Sequence, residues 1–356
     1  MQKRRSCLVP VLLGVLAMVG TAKSASFQVT CVQYPISRSV DTNIAAVADY
    51  TALAKAAGSR VVVFPEGNVT GYYLDDLKNL KQPDLEAILA RCQSIADSQD
   101  VYLIVGMPWY VDSVLYNSAF VLGPDGSIVE NYGKSFVVMG KVFTNRDNRA
   151  FFEIDGVPCT LYICHDQRYP ELARIPVLAG AMVQFYISWE SAQETKRDNY
   201  RCQMIARARE NQIYAVCCNA PANTEEGGSH GESRIISPDG TILAEAGLEE
   251  PVMIHAVINP AMVRRDYIEE ARSVSLFHQW WEDSLDTLQS GTVSEEVSSF
   301  QITGALDPFK VAICQFNVSR DRAANLSTML DKMDEMARTR KPTAAMRCMI
   351  LAFPCR

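Results

Sequence analysis

Apolar residues recur along this chain in two alternating rhythms. Short β-branched or aromatic runs, RVVVF, VYLIVG, LYNSAFVL, CTLYIC, MVQFYIS, IYAVCCN, SRIIS and VMIHAVI, have the length and composition of strands. Between them, residues 41–58, 83–99, 169–180 and 193–212 place apolar side chains at helical spacing and charged ones on the remaining face. This order predicts an α/β fold rather than an all-β one. The turn sequences GPDG (123–126) and SPDG (237–240) each join two strand-like runs, which predicts antiparallel hairpins and therefore mixed sheets.

The rhythm also repeats. Residues 27–44 realign on 309–326 at a constant offset of 282, matching Phe27 with Phe309, Gln33 with Gln315, Ser37-Arg38 with Ser319-Arg320 and Asn43 with Asn325. Seven inserted residues further on, Phe64-Pro65-Glu66 meets Phe353-Pro354-Cys355. The second copy holds an opening strand, a helix and the start of another strand, too little for a complete domain. The expected organisation is a leader at 1–24, one large domain at 25–305 and a truncated repeat at 306–356.

The leader is read from basic Lys3-Arg4-Arg5, an apolar run from Leu8 to Gly20 and the small residues of TAKSAS, with cleavage after Ser24. That run is shorter than the ~20 residues a membrane span needs, so no membrane association is expected after cleavage. A secreted or lumenal location follows, and sequons at Asn68, Asn317 and Asn325 make glycosylation an expectation. The net charge is -7, and loss of Lys3, Arg4, Arg5 and Lys23 takes it to -7 minus 4, or -11. Such an acidic balance argues against nucleic acid as a partner. The 11 cysteines lack regular spacing, and Cys31, Cys159, Cys217 and Cys218 sit in apolar runs as small buried hydrophobes do. With four histidines and no CxxC pair, no metal site is expected.

Three residues at strand ends form a chemical set. A thiol of ordinary pKa, about 8.5, needs a neighbouring base or cation to attack an amide at neutral pH. Cys164 closes TLYIC at a strand-to-helix turn that leaves backbone N–H groups free for an oxyanion. Glu66, after VVVFP, can take the thiol proton, and Lys134, after YG, can bind the oxyanion. A Cys-His protease using His230, His255 or His278 is the third reading, but no protease-type sequence surrounds them.

An ordered series of segments resembles the nitrilase (carbon-nitrogen hydrolase) superfamily over roughly 27–260: VTCVQYP, VVVFPEGNVTGYY, YNSAFVLGPDGSIVENYGK, FFEIDGVPCTLYICHDQRYPE, RARENQIYAVCCN and GESRIISPDGTIL. The resemblance implies an α-β-β-α sandwich with mixed sheets and hydrolysis of a non-peptide carbon-nitrogen bond. It assigns Cys164 as nucleophile, Glu66 as base and Lys134 as oxyanion cation, with no cofactor. The His165 N–H is implied as an oxyanion donor, and Tyr72 and Trp189 as pocket residues. CHDQRYPE resembles the amidase and ureidopropionase-like branches. The expected partners are thus a small-molecule amide or carbamoyl substrate and a second copy of the chain in a homodimer. One departure stands out: the family's second Glu after the Lys is missing, with Lys141 at the corresponding place and Asp147 and Glu153 the next acids. Gly133 and His165 also replace a usual Arg and a usual aromatic residue. A non-catalytic binding or scaffold protein is therefore the second reading.

Overall fold

A computed structural model of the chain describes residues 25–77, 79–140, 142–190, 194–222, 229–275, 278–279, 281–283, 310–312, 322–339 and 346–348. The expected leader, Lys141, Asn317 and the Asn325 side chain lie outside the described residues. The chain divides at His278 into two units.

The first unit opens with a β-α-β crossover. β1 (Phe27–Gln33) and β2 (Ser59–Val63) are parallel, joined by α1 (Val40–Ala56). The Ser39 side chain caps α1 by accepting the Thr42 N–H at 3.3 Å. After α2 (Leu74–Leu77) and α3 (Gln82–Gln99), which carries Pro in its first turn, come β3 (Tyr102–Val111), β4 (Val114–Leu122) and β5 (Ile128–Gly133). The second half runs β6 (Phe152–Ile154), β7 (Val157–Ile163), α4 (Pro170–Ala179), β8 (Val183–Ser188), α5 (Glu194–Asn211) and β9 (Tyr214–Asn219). β10 (Arg234–Ile236), β11 (Ile242–Glu245), β12 (Val252–Ile258) and α6 (Asp266–Ser273) complete the unit. Two six-stranded sheets result, ordered β12-β1-β2-β3-β4-β5 and β11-β10-β9-β8-β7-β6. Both are mixed: β1, β2 and β3 are parallel, as are β7, β8 and β9, while the remaining neighbours are antiparallel.

Side-chain parity builds the layers. Val61 and Val63 face the core between the sheets with Val29, Cys31, Leu161, Ile163, Phe185 and Ile187, whereas Val62 and Phe64 pack with Ile44, Val47, Leu85 and Leu89 of α1 and α3. On the other sheet, Ala173 of α4 and Met204 and Ala208 of α5 complete the same core cluster. The result is the α-β-β-α sandwich, with strands at the eight expected runs and helices at the four expected stretches.

Both expected hairpins form, with Gly126 at φ 73 and Gly240 at φ 86 in the left-handed region those turns require. Cys31, Cys92, Cys159, Cys217 and Cys218 are free and buried. The Asn68 sequon needs correction. Its side chain is buried, with Oδ1 accepting the Gly106 N–H at 2.8 Å, so it has no access for a glycan in the folded chain. No described helix is long and apolar enough to cross a membrane.

In the second unit, β13 (Lys310–Ala312) runs parallel to β14 (Met346–Cys348), with α7 (Arg322–Thr339) between them in sequence. This is the element order of β1, α1 and β2.

Candidate active site

Ligands of open α/β sheets gather at the carboxyl ends of strands. Here Glu66 lies three residues beyond β2, Lys134 immediately follows β5, Cys164 follows β7 and Trp189 follows β8. The two sheets thus bring their candidate residues to one place. The Glu66 loop is pinned to β3, where Gly106 donates to Asn68 and accepts the Val69 N–H at 3.2 Å. Only glycine fits there, because a Cβ at residue 106 would lie 2.5 Å from the Gly67 nitrogen.

Lys134 Nζ sits 2.8 Å from Glu66 Oε1, and both side chains are 2 % exposed. A pair this dry is held by mutual neutralisation, and removing one partner strands the other charge. The Asn117 amide donates to Glu66 Oε1 at 2.7 Å and to the Tyr72 hydroxyl at 2.8 Å. The Trp189 N–H donates to Glu66 Oε2 at 2.9 Å, so both carboxylate oxygens are fixed. Burial works against the Lys134 charge, but the Cys164, Glu66 and Tyr72 side chains outweigh it and hold the ammonium well above its ordinary value.

Cys164 has φ 48, a left-handed conformation that only a minority of non-glycine residues adopt. It opens a short 3-10 turn, Cys164–Arg168, whose first N–H groups have no acceptor within the turn. The thiol lies 3.9 Å from the Trp189 carbonyl. Burial and then the Glu66 carboxylate push its pKa up, with Lys134 opposing. A resting thiol that keeps its proton needs a base to take it, and Glu66 faces it.

The remaining sequence candidates also converge. The Tyr72 ring lies 5.9 Å from Trp189 and 5.8 Å from Phe143, and burial followed by the Glu66 charge raises its phenol pKa. The main chain of Trp189 contributes more than its ring, since its N–H and C=O meet the Glu66 carboxylate and the Cys164 thiol. The His165 ring packs edge-on to Tyr169 at 6.1 Å, and burial, Arg168 and Lys134 lower its pKa. Of the acids near the missing second Glu, Asp147 and Glu153 are both exposed. His230 bonds Glu190 at 2.6 Å and His255 bonds Thr30 at 2.7 Å, whereas the Cys164 thiol meets the Trp189 carbonyl and the Glu66 carboxylate.

Three contributors escaped the sequence reading. Asn117 shares the inward parity of Ala119 and Val121 in LYNSAFVL, and a polar residue on that face was its signal. Asp166 accepts the Ile163 N–H at 3.1 Å, the Phe136 N–H at 2.8 Å and the Tyr132 hydroxyl at 2.8 Å. It thereby ties the Cys164 turn to the residues flanking Lys134. Burial pushes its carboxyl up to about 6 even with those donors opposing. Glu190 carries a buried carboxylate directly behind Trp189, and no spacing in the sequence distinguished it.

Comparison with known proteins gives this arrangement its context. The family model for carbon-nitrogen hydrolase matches residues 28–267. A 2-oxoglutaramate amidase of Bacillus subtilis (strain 168) is 30% identical over 230 residues, covering 63% of this chain and 88% of that protein. An N-carbamoylputrescine amidase of Arabidopsis thaliana is 29% identical over 262 residues, covering 66% and 87%. A solved structure of the Nesterenkonia AN1 amidase from the nitrilase superfamily superposes with a TM-score of 0.64 at 21% identity, covering 71% of this chain and 97% of that one. The chain therefore belongs to the carbon-nitrogen hydrolase family, enzymes that cleave carbon-nitrogen bonds other than peptide bonds.

Proposed function

We propose that this amidase is a secreted or lumenal thiol amidohydrolase that cleaves a small amide or carbamoyl substrate through a thioester on Cys164. The observation that carries this reading is the dry Glu66–Lys134 pair facing a cysteine in a left-handed turn. Cys164 Sγ attacks the carbonyl carbon while Glu66 takes the thiol proton. Lys134 and the His165 N–H stabilise the oxyanion. Glu66 then passes the proton to the leaving nitrogen, the carbon-nitrogen bond breaks, and ammonia or an amine departs. Water, deprotonated by Glu66, attacks the thioester; the acid leaves and the proton returns to sulfur. Tyr72 and Trp189 line the substrate pocket in this reading.

An amide or carbamoyl group is supported by the activities in the names of the two relatives and by CHDQRYPE. Loss of the second Glu leaves Glu66 as the single acid of the catalytic set and makes a slow enzyme the expectation. Hydrolysis of a panel of primary amides and carbamoyl compounds with hydroxylamine present tests the reading. A thioester partitions to hydroxamate as well as acid, so both products are expected. If neither forms with any compound, the scaffold reading replaces this one. The order of residues 1–24 supports export, and N-terminal sequencing of protein secreted by expressing cells should begin at Ala25. Retention in the cytosol with Met1 intact would contradict it.

A further inference from the structure

Glu190 is a carboxylate 4% exposed, and the reaction scheme gives it no part. Burying such a group requires close partners. Oε2 meets His230 Nε2 at 2.6 Å, and Oε1 accepts the Gln167 amide at 2.8 Å and the Tyr186 hydroxyl in a short contact. Its own N–H donates to Asn219 Oδ1 at 3.1 Å on β9. Two of these partners lead to the nucleophile. Gln167 belongs to the same 3-10 turn as Cys164, and the Tyr186 hydroxyl also lies 3.1 Å from the Cys164 carbonyl. Through the chain, Glu190 leads to the base as well, because the preceding Trp189 N–H holds Glu66 and its carbonyl meets the thiol.

We infer that Glu190 is a positioning residue of this site: its carboxylate, held by His230, grips the Cys164 turn through Gln167 and Tyr186 while Trp189 holds Glu66. One dipeptide thus sets the distance between nucleophile and base. The inference rests on the proposed roles of Cys164 and Glu66. A left-handed Cys164 persists only where its surroundings over-determine it, and this grip is one such constraint. Reaction geometry is steep in distance, so relaxing the grip acts on the chemical step more than on substrate affinity.

Glu190→Gln keeps the shape but turns an amide hydrogen toward donors, and Tyr186→Phe removes only the hydroxyl. In each variant kcat should fall about tenfold or more with KM within about twofold. The double variant should lose less than the product of the single losses, because both act through one contact chain. Amide hydrogen exchange across 163–168 should quicken in both variants, a readout that needs no turnover. If Glu190→Gln fails to fold, the Tyr186→Phe result decides. Unchanged kcat, a loss confined to KM, independent losses, or unchanged exchange across 163–168 would overturn the inference. If the wild type hydrolyses no compound, the proposed function fails, and the exchange arm alone decides whether Glu190 fixes the turn.

Discussion

At the scale of single residues, the Glu66 and Glu190 carboxylates oppose the Lys134 ammonium around a half-buried cysteine. Glu66 raises the Cys164 pKa and Lys134 lowers it, with burial the larger influence on the raised side. Replacing Glu66 by Gln removes the anion and leaves the ammonium. The pH at which iodoacetamide alkylates Cys164 should then shift downward, while amide hydrolysis falls about 10²-fold or more for want of a base. An alkylation profile shifting upward in that variant would show that Glu66 does not face the thiol. Lys134→Ala strands the Glu66 carboxylate in a dry site, so it should cost roughly 3–5 kcal/mol of stability as well as about 10²-fold in rate. Chemical denaturation and steady-state kinetics on the same preparation measure both. Asp166 adds a pH dependence whose two consequences run in opposite directions. Its folded pKa, about 6, is raised, so its contribution to stability is present at acid pH and is lost as pH rises through about 6. The turn, however, uses the anion as acceptor for two N–H groups and a hydroxyl. The kcat profile should therefore fall below pH about 6 without the stability falling in step on this group's account, and a profile with no titration near 6 would contradict that role.

At the scale of elements, the site depends on a close fit of β3 against the Glu66 loop. Gly106→Ala would set a Cβ 3.1 Å from the Glu66 Cα and closer still to Gly67. The loop must shift, costing about 1–3 kcal/mol and about 10²-fold in kcat through lost alignment. Wild-type kinetics in this variant would show that the loop can move without consequence. The elements themselves were legible in the sequence because each run of the pattern matched its own period: three valines before Phe64 give parity to both faces of β2, and the two PDG turns announce their hairpins. The strand ends could therefore be read, and with them Glu66, Lys134 and Cys164. What escaped was what those ends touch. Asn117 is 51 residues from Glu66, and His230 is 40 from Glu190, so their pairing is a product of sheet order. Asn68 was misread for a related reason: its sequon is local, but its burial is set by β3.

At the scale of the whole molecule, the chain carries an α-β-β-α sandwich and, among the described residues of its second unit, a β-α-β element order like that of its opening. In the sandwich, that opening is covered on one side by the second sheet and continued by β3 and β12. A strand-helix-strand unit by itself buries less of its apolar surface than a full sandwich does. We propose that residues 306–356 are dispensable to the catalytic domain. A chain ending before Ala305 should be soluble and melt cooperatively, and an insoluble product would refute this. All of these expectations depend on the sandwich existing to present one thiol to one base. The most direct test is rapid-quench mass spectrometry during turnover of an amide. The acyl group should appear on the peptide containing Cys164, with Cys164→Ala folded yet inactive. An acyl group on another residue, or ammonia released by Cys164→Ala at the wild-type rate, would contradict the account.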